Sequence, residues 1–453
     1  MLFNSWQFAV FFPTVAVLYF LSPHKLQLFI LLIASFVFYM AFIPSYVLIL
    51  VVLIIIDFVA AQLIGPAKGG KRKLLLVISL VSNLSLLGFF KYFNFFNSSL
   101  ASFAAIFDLH YPIQALSIIL PIGLSFHTFQ AMSYTIEVYR RKVKPEKRLL
   151  HYALYVMFFP QLVAGPIERP QNLLPQFNKI HKLNYDDVTA GLRLILWGLF
   201  KKVVIADRLA LYVNLIYSHP QDYSGPSLII ATIFFAFQIY GDFSGYSDIA
   251  VGAARVLGFK LMTNFQYPYF SRNISEFWER WHISLSTWFR DYVYVPLGGN
   301  RVNRLRWIGN ILVVFVLSGL WHGAGWLFAL WGLLHASCYL LYRLFNLSSR
   351  LLTFCLVCLA WIFFRANNTN DAFYIVSHLV TGPFNLSGYP PLSLMAGFGF
   401  IALLTVIDWV GGVKKFNLAN LPSPIRWMVY VIGTILILDF GVSIGIPFVY
   451  FQF

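Results

Sequence analysis

Long apolar runs, broken by short polar clusters, recur along almost the whole chain. Phe8–Leu21, Leu26–Phe42, Tyr46–Ile64, Leu74–Phe90, Leu116–Ile136, Ala190–Ile205, Leu228–Tyr240, Ile308–Leu320, Trp326–Leu344, Leu351–Phe364, Leu394–Val410 and Trp427–Val442 each read as a membrane-crossing helix. Such a helix takes about 20 mainly apolar residues, fewer where neighbouring helices shield it. Tyr152–Val163 and Gly245–Leu257 are shorter and more broken. They predict partial or re-entrant segments, which survive at that depth only inside protein or against a wet cavity. The stretches of low hydropathy, Arg140–Arg148, Gly165–Asp187 and Asn264–Arg306, are too short for a separate folded domain. A loop as long as the last is usually functional or carries helices of its own. The pattern therefore predicts one all-α polytopic membrane domain over residues 1–453.

Composition agrees. Apolar residues make up 59% of the chain and charged residues 11%, with a mean hydropathy of +0.73. Soluble domains average about 25% charged residues, so lipid rather than water must cover this surface. A net charge of +16 raises nucleic-acid binding as a possibility. The cations instead gather in short clusters between apolar runs: Lys68–Lys73, Arg140–Arg148, Lys201 with Lys202, and Arg301–Arg306. That is the distribution of cytoplasmic loops. If the first two clusters are both cytoplasmic, Leu74–Phe90 and Leu116–Ile136 cross between them, Lys91–Pro112 lies outside, and the N-terminus faces outside. No cleavable signal peptide is expected, because the first apolar run begins almost at Met1 without a basic leader. Cys355 and Cys358 have CxxC spacing on an apolar stretch, and no second ligand pair of the kind a zinc site needs accompanies them. Packing is their expected role, and no bound metal is expected.

The chemistry lies where polar groups interrupt apolar sequence, since an ionisable residue at membrane depth is costly and marks function by default. His322 stands in Leu317-Ser-Gly-Leu-Trp-His-Gly-Ala-Gly-Trp326. If that stretch is helical, Ser318, Gly319, Gly325 and Ala329 share its face and clear a groove, with Trp321 and Trp326 as walls. The alternative is a histidine satisfied by a neighbouring helix, with glycine serving close packing. His282 lies in the segment from Asn273 to Arg290. On a helical projection Phe277, Trp278, Trp281, Leu285, Trp288, Phe289 and Tyr292 fill one arc. His282 falls at its edge beside Ser286, Glu279 and Arg290, as on an amphipathic helix at the cytoplasmic surface. Asn273 followed by Glu276 resembles a capping box. Asp242 and Asp248, around a Gly241/Gly245 pair, need cationic partners, for which arginines of the 270–290 segment are available. Ion pairing and active-site shaping are both open for them. His127 and His335 fit packing or a pore lining.

Together these stretches resemble the membrane-bound O-acyltransferase family, in its bacterial alginate O-acetyltransferase branch. The likeness is carried, in order, by Pro121-Ile-Gly-Leu-Ser-Phe-His-Thr-Phe-Gln130, Phe159-Pro-Gln-Leu-Val-Ala-Gly-Pro-Ile167, Asp242-Phe-Ser-Gly-Tyr-Ser-Asp-Ile-Ala250 and Phe277-Trp-Glu-Arg-Trp-His-Ile-Ser-Leu-Ser-Thr-Trp-Phe-Arg-Asp291. Pro296-Leu-Gly-Gly-Asn-Arg301, Ser318-Gly-Leu-Trp-His-Gly323 and Trp361-Ile-Phe-Phe-Arg-Ala366 complete it, so the core spans about residues 120–366. The resemblance implies a ring of transmembrane and re-entrant helices around a thin central layer, with a funnel on each side. It implies that His322 matches the near-invariant family histidine and His282 a second, more variable one. The Gly-Gly-Asn-Arg stretch favours the alginate-type branch over teichoic-acid D-alanylation.

The function expected from this is transfer of an acetyl group from a cytoplasmic thioester (acetyl-CoA or an acyl-carrier phosphopantetheine) for O-acetylation of an exported, alginate-like polysaccharide. No bound cofactor is implied. Neutral His322 would be the general base. His282, with Asp291 or Glu279, would orient the donor, and Arg290 would attract an anionic carrier. The acyl group would pass to a periplasmic acetyltransferase partner within a polysaccharide-synthesis complex of the inner membrane. Peptidoglycan O-acetylation is the alternative within the enzyme class. A polysaccharide-export transporter, or a non-catalytic scaffold, is the alternative outside it.

Overall fold

In the computed structural model, residues 1–382, 389–413, 418–442 and 447–451 are described, and among them every regular element is helical. Seven helices are long and apolar enough to cross a bilayer: Pro44–Ile64, Gly69–Ile106, Gly225–Val256, Arg304–His322, Trp326–Phe345, Pro391–Gly412 and Ser423–Phe440. Trp6–Leu21 and His24–Met40 are shorter apolar helices. The protein is thus an all-α polytopic membrane protein. The lipid signature is plain in Ser423–Phe440, where Trp427, Met428, Val431, Ile432, Ile435 and Leu438 are all exposed. Apolar helix surface of that extent is stable against hydrocarbon and not against water.

Several boundaries differ from those the pattern predicted. The helix that enters the membrane at Gly69 runs on to Ile106 through a π-helical turn at Gly88–Tyr92, so Lys91–Ile106 is not a loop. The expected crossing at Leu116–Ile136 is helical only from Leu124, up to Tyr139, with Pro121 and the left-handed Gly123 (φ 74°) just before it. Gly245–Leu257 is no separate segment. It is the second half of the single helix Gly225–Val256. Tyr152–Val163 is partial as expected: helix Leu149–Met157 stops before Phe158.

The chain forms two compact units, residues 1–192 with 250–262, and residues 193–249 with 263–453. Within the first, Val47–Ile64 and Gly69–Leu87 pack on Leu124–Tyr139. Buried Asp57 accepts from Ser79 and Asn83 there, at 2.7 and 2.9 Å. The same unit holds Glu168, fully buried in the non-helical turns after Phe158. Its carboxyl accepts from Asn172 Nδ2 and from the Met262 backbone N–H, both at 2.6 Å. Burial pushes its pKa up to about 7 against these bonds. A carboxyl raised on folding binds its proton more tightly in the folded state, so stability is highest below its unfolded pKa and declines as pH rises towards 7. Glu168→Gln keeps an acceptor without the charge. The difference in melting temperature between wild type and this variant should therefore move in the variant's favour between pH 5 and 8. A difference constant across that range would exclude the linkage.

In the second unit, Arg304–His322 and Trp326–Phe345 pack along their lengths as a hairpin. Gly319 and Gly332 make that approach possible: a Cβ on either would collide with the backbone of the other helix, at Phe328 and Phe315. Trp281, Trp331 and Trp361 are fully buried in the core of this unit. Helices Tyr185–Leu199 and Gly225–Val256 meet through glycine as well, Gly198 lying against the Gly245 carbonyl. The GxxxG spacing of Gly241 and Gly245 thus marks a helix contact.

Candidate active site

The loop-borne histidine owes its position to a break that helical periodicity hides. Residues 273–292 do not form one amphipathic helix. Helix Ile274–Arg280 ends, Trp281 and His282 carry the turn, and helix Ile283–Phe289 begins. Half of the expected capping box forms: Asn273 accepts from Glu276 N at 2.9 Å, while the Glu276 carboxylate accepts from Arg272 N at 2.6 Å, one residue before the cap. At the break, buried Asn264 accepts from Ile283 N through its backbone (2.9 Å) and from Ser284 N through its side chain (3.3 Å). Its amide donates to Ser247 at 3.1 Å. His282 itself takes the left-handed conformation (φ 44°, ψ 53°), which is strained for a residue with a Cβ and is found disproportionately at functional sites. The result corrects the expected surface position: His282 is fully buried.

His322 arrives from the other direction, as the last residue of Arg304–His322. The chain turns at Gly323–Gly325, so Gly325 and Ala329 do not lie on its helix face. Phe328 occupies the space that a side chain at Gly319 or Gly323 would need, through its backbone at the first and its ring at the second, so these two glycines serve close packing. Trp321 does wall the site, its ring 5.0 Å from His322, whereas Trp326 is 67% exposed on the next helix. Ser318 is buried one turn before His322.

The two imidazoles come together, with ring centroids 6.3 Å apart. Trp331 (5.1 Å) and Phe364 (5.5 Å) pack on His322, and Phe243 (4.6 Å) packs edge-on to His282. Tyr450 completes the enclosure, 5.4 Å from His322 and 6.5 Å from His282. Burial holds His282 far below the ordinary imidazole range, at about 3, so it is neutral at pH 7. Nothing in the sequence marks Tyr450, which lies far beyond the other motifs, in an apolar tail without an ionisable neighbour.

Asp242 and Asp248 do not pair with arginines of the 270–290 segment. The helix from Tyr185 opens into a π-helical stretch at Phe200–Ala206, which directs two successive lysines at helix Gly225–Val256. Lys202 Nζ bridges Asp242 and Asp207, both at 2.7 Å and all three buried. Lys201 Nζ meets Asp248 and Ser244 at 2.8 Å. Asp242 also accepts from the Val449 backbone N–H at 2.6 Å, which fastens the segment carrying Tyr450. Asp242 thus joins Lys202 to the segment that carries Tyr450.

Glu279 and Arg290 line a cavity of about 360 Å³, with Ser275, Trp278, Thr287 and Phe315, whose wall includes neither histidine. Asp291 pairs with Arg290 at 2.8 Å, both partly solvent-exposed. A larger cleft, of about 830 Å³, is lined by Lys201, Arg272, Arg280 and Arg350 with Asp248, Glu276 and Asp408. Arg280 is held by Glu276 at 2.5 Å. The guanidinium groups of Arg272 and Arg350 have no carboxylate partner among the described residues. His335 is buried between Trp331 (4.8 Å) and Trp278 (5.0 Å), and His127 lies buried 6.1 Å from Tyr39. Among the described residues, no cluster of His, Cys, Asp and Glu is arranged to hold a metal ion.

A model of the family described as MBOAT, membrane-bound O-acyltransferase, matches residues 145–357. The peptidoglycan O-acetyltransferase of Helicobacter pylori is 37% identical over 389 residues, covering 77% of this chain and 73% of that protein. The "Probable alginate O-acetylase AlgI" of Azotobacter vinelandii is 35% identical over 431 residues, covering 92% and 86%. The teichoic acid D-alanyltransferase of Bacillus subtilis is 32% identical over 241 residues, covering 50% and 60%.

Proposed function

The chain belongs to the membrane-bound O-acyltransferase family, and from that premise we propose that it takes an acetyl group from a cytoplasmic thioester and delivers it for O-acetylation of an exported polysaccharide. The observation that carries this reading is the meeting of His322 and His282 at 6.3 Å inside a shell of aromatic rings. Neutral imidazole beside a hydroxyl is a general base suited to neutral pH. His322 takes the proton of the acceptor hydroxyl as its oxygen attacks the thioester carbonyl. A C–O bond forms, the C–S bond breaks, and the proton passes to the leaving thiolate. The aromatic shell excludes water, the competing nucleophile.

The cleft carrying Arg272 and Arg350 is the entry for the donor's phosphate-bearing arm. Lys201 and Arg280 are already committed to Asp248 and Glu276, which leaves these two guanidinium groups to meet an anion. Charge-assisted contacts are worth about 1.5–3 kcal/mol each. Arg272→Ala and Arg350→Ala should each accordingly raise KM for the acetyl thioester roughly tenfold to a hundredfold and leave kcat near the wild-type value. An unchanged KM would move the donor site elsewhere.

The acceptor of choice is an alginate-like polymer, reached through a periplasmic acetyltransferase partner, since the Azotobacter relative aligns over most of both chains. Peptidoglycan is the second reading, favoured by the Helicobacter relative. The D-alanylation relative aligns over only half of this chain. Membrane vesicles given labelled acetyl thioester, and either uronate polymer or peptidoglycan with the matching partner, separate these readings by which polymer gains label. Solute flux without label on any acceptor would support a transporter in their place.

A further inference from the structure

A third polar group stands in the cage beside the two imidazoles. Segment 447–451 is fastened there at two points. The Val449 N–H donates to Asp242, and buried Phe448 packs on Tyr246 at 4.6 Å. Just beyond these anchors Tyr450 lies against Phe243 (4.6 Å), His322 (5.4 Å), Phe364 (6.3 Å) and His282 (6.5 Å). Its hydroxyl oxygen is buried and takes no hydrogen bond from the described residues. Packing alone does not explain that oxygen. Phenylalanine would fill the same space without burying a polar group, which is unfavourable unless something bonds to it.

The acyl-transfer reading supplies a partner, and the inference rests on that reading. When the acceptor oxygen attacks the thioester, negative charge develops on the carbonyl oxygen inside a shell of aromatic carbon. His282 is neutral there and brings no charge to meet it. A donor fixed in advance at the place where charge appears stabilises a transition state strongly, because nothing has to reorganise during the reaction. We propose that Tyr450 is a catalytic residue whose hydroxyl contacts the acyl group in transit and donates a hydrogen bond to its carbonyl oxygen. Asp242 is then a positioning residue that acts through the Val449 N–H.

Tyr450→Phe tests this in the full-length protein in native membranes, with labelled acetyl thioester as the probe. The ring and its contacts remain, so membrane yield should match wild type. Loss of one such donor should lower kcat about 10²- to 10³-fold and leave KM for the thioester within about threefold. A kcat within about threefold of wild type overturns the proposal. Incorporation of 3,5-difluorotyrosine at position 450 gives a second measure if the Phe variant accumulates poorly. This ring has nearly the same shape and a more acidic hydroxyl, so the alkaline limb of the kcat–pH profile should move to lower pH. An unmoved profile also overturns the assignment. Absence of transfer by wild type in the same assay would sink the acyl-transfer reading itself, whereas full activity in Tyr450→Phe removes only the role of the hydroxyl.

Discussion

His322→Ala is expected to abolish acetyl transfer while the protein still accumulates in the membrane. The imidazole is the last side chain of its helix; it touches Trp331 of the facing helix, but the close backbone approach of the two helices rests on Gly319 and Gly332. The hairpin should therefore survive the substitution. The chemistry should not. General-base assistance contributes about 10²–10⁴ in rate, and alanine puts no base in its place. A fall of at least about 10³-fold in labelled acetyl on the acceptor is expected, with membrane yield within a factor of about two. His322→Gln, which keeps a polar side chain without imidazole basicity, should be as inactive as the alanine variant. Measured turnover above a tenth of wild type in either variant would remove His322 from the reaction. Loss of the protein from the membrane in both would show that the ring is structural.

Much of this site was legible in the sequence, and the failures have physical causes. Polar residues inside apolar runs pointed to His322, Asp242 and Asp248, because burying an ionisable group is costly enough to need a reason. What periodicity could not convey was which carbonyls and cations those groups meet. A uniform 100° projection placed His282 on the edge of a continuous helix. Asn264 instead accepts from Ile283 N and Ser284 N, through its backbone and its side chain, where that helix breaks and the imidazole turns inward. No local pattern around position 282 encodes a partner 18 residues away. The arginines of the 270–290 segment looked like natural partners for the aspartates, but a π-helical widening at Phe200–Ala206 delivers Lys201 and Lys202 instead. Such widenings recur at functional sites and leave little trace in hydropathy. The glycines near His322 read equally as a groove or as close packing, and Gly319 and Gly323 serve packing against Phe328. Crossing segments fared better, as burial in lipid is a property of composition. Even so, the even number of crossings that two cytoplasmic clusters require predicts a loop at Lys91–Pro112, where the helix from Gly69 runs on to Ile106.

Lys202→Met should damage the fold more than any substitution at the histidines. Lys202 is 1% exposed, and its ammonium is the cation that lies between the carboxylates of Asp207 and Asp242. Removing it leaves two buried carboxylates without the charge that compensated them, and breaking a buried pair in this way costs about 3–5 kcal/mol. The detergent-solubilised variant should melt well below wild type and accumulate poorly. The damage should also reach the chemistry, because Asp242 holds the Val449 N–H and with it the segment that brings Tyr450 to His322. A neutralised trio, Lys202→Met with Asp207→Asn and Asp242→Asn, removes the unbalanced charge and keeps a side-chain oxygen at position 242 for that N–H. Buried ion pairs replaced as a set are often close to neutral in stability, so the triple variant should regain most of the melting temperature. A single variant within about 1 kcal/mol of wild type would mean that the carboxylates find other partners or protons at no cost. A triple variant as unstable as the single one would mean that the lysine acts through its packing on Tyr246, 5.6 Å away, and not through its charge.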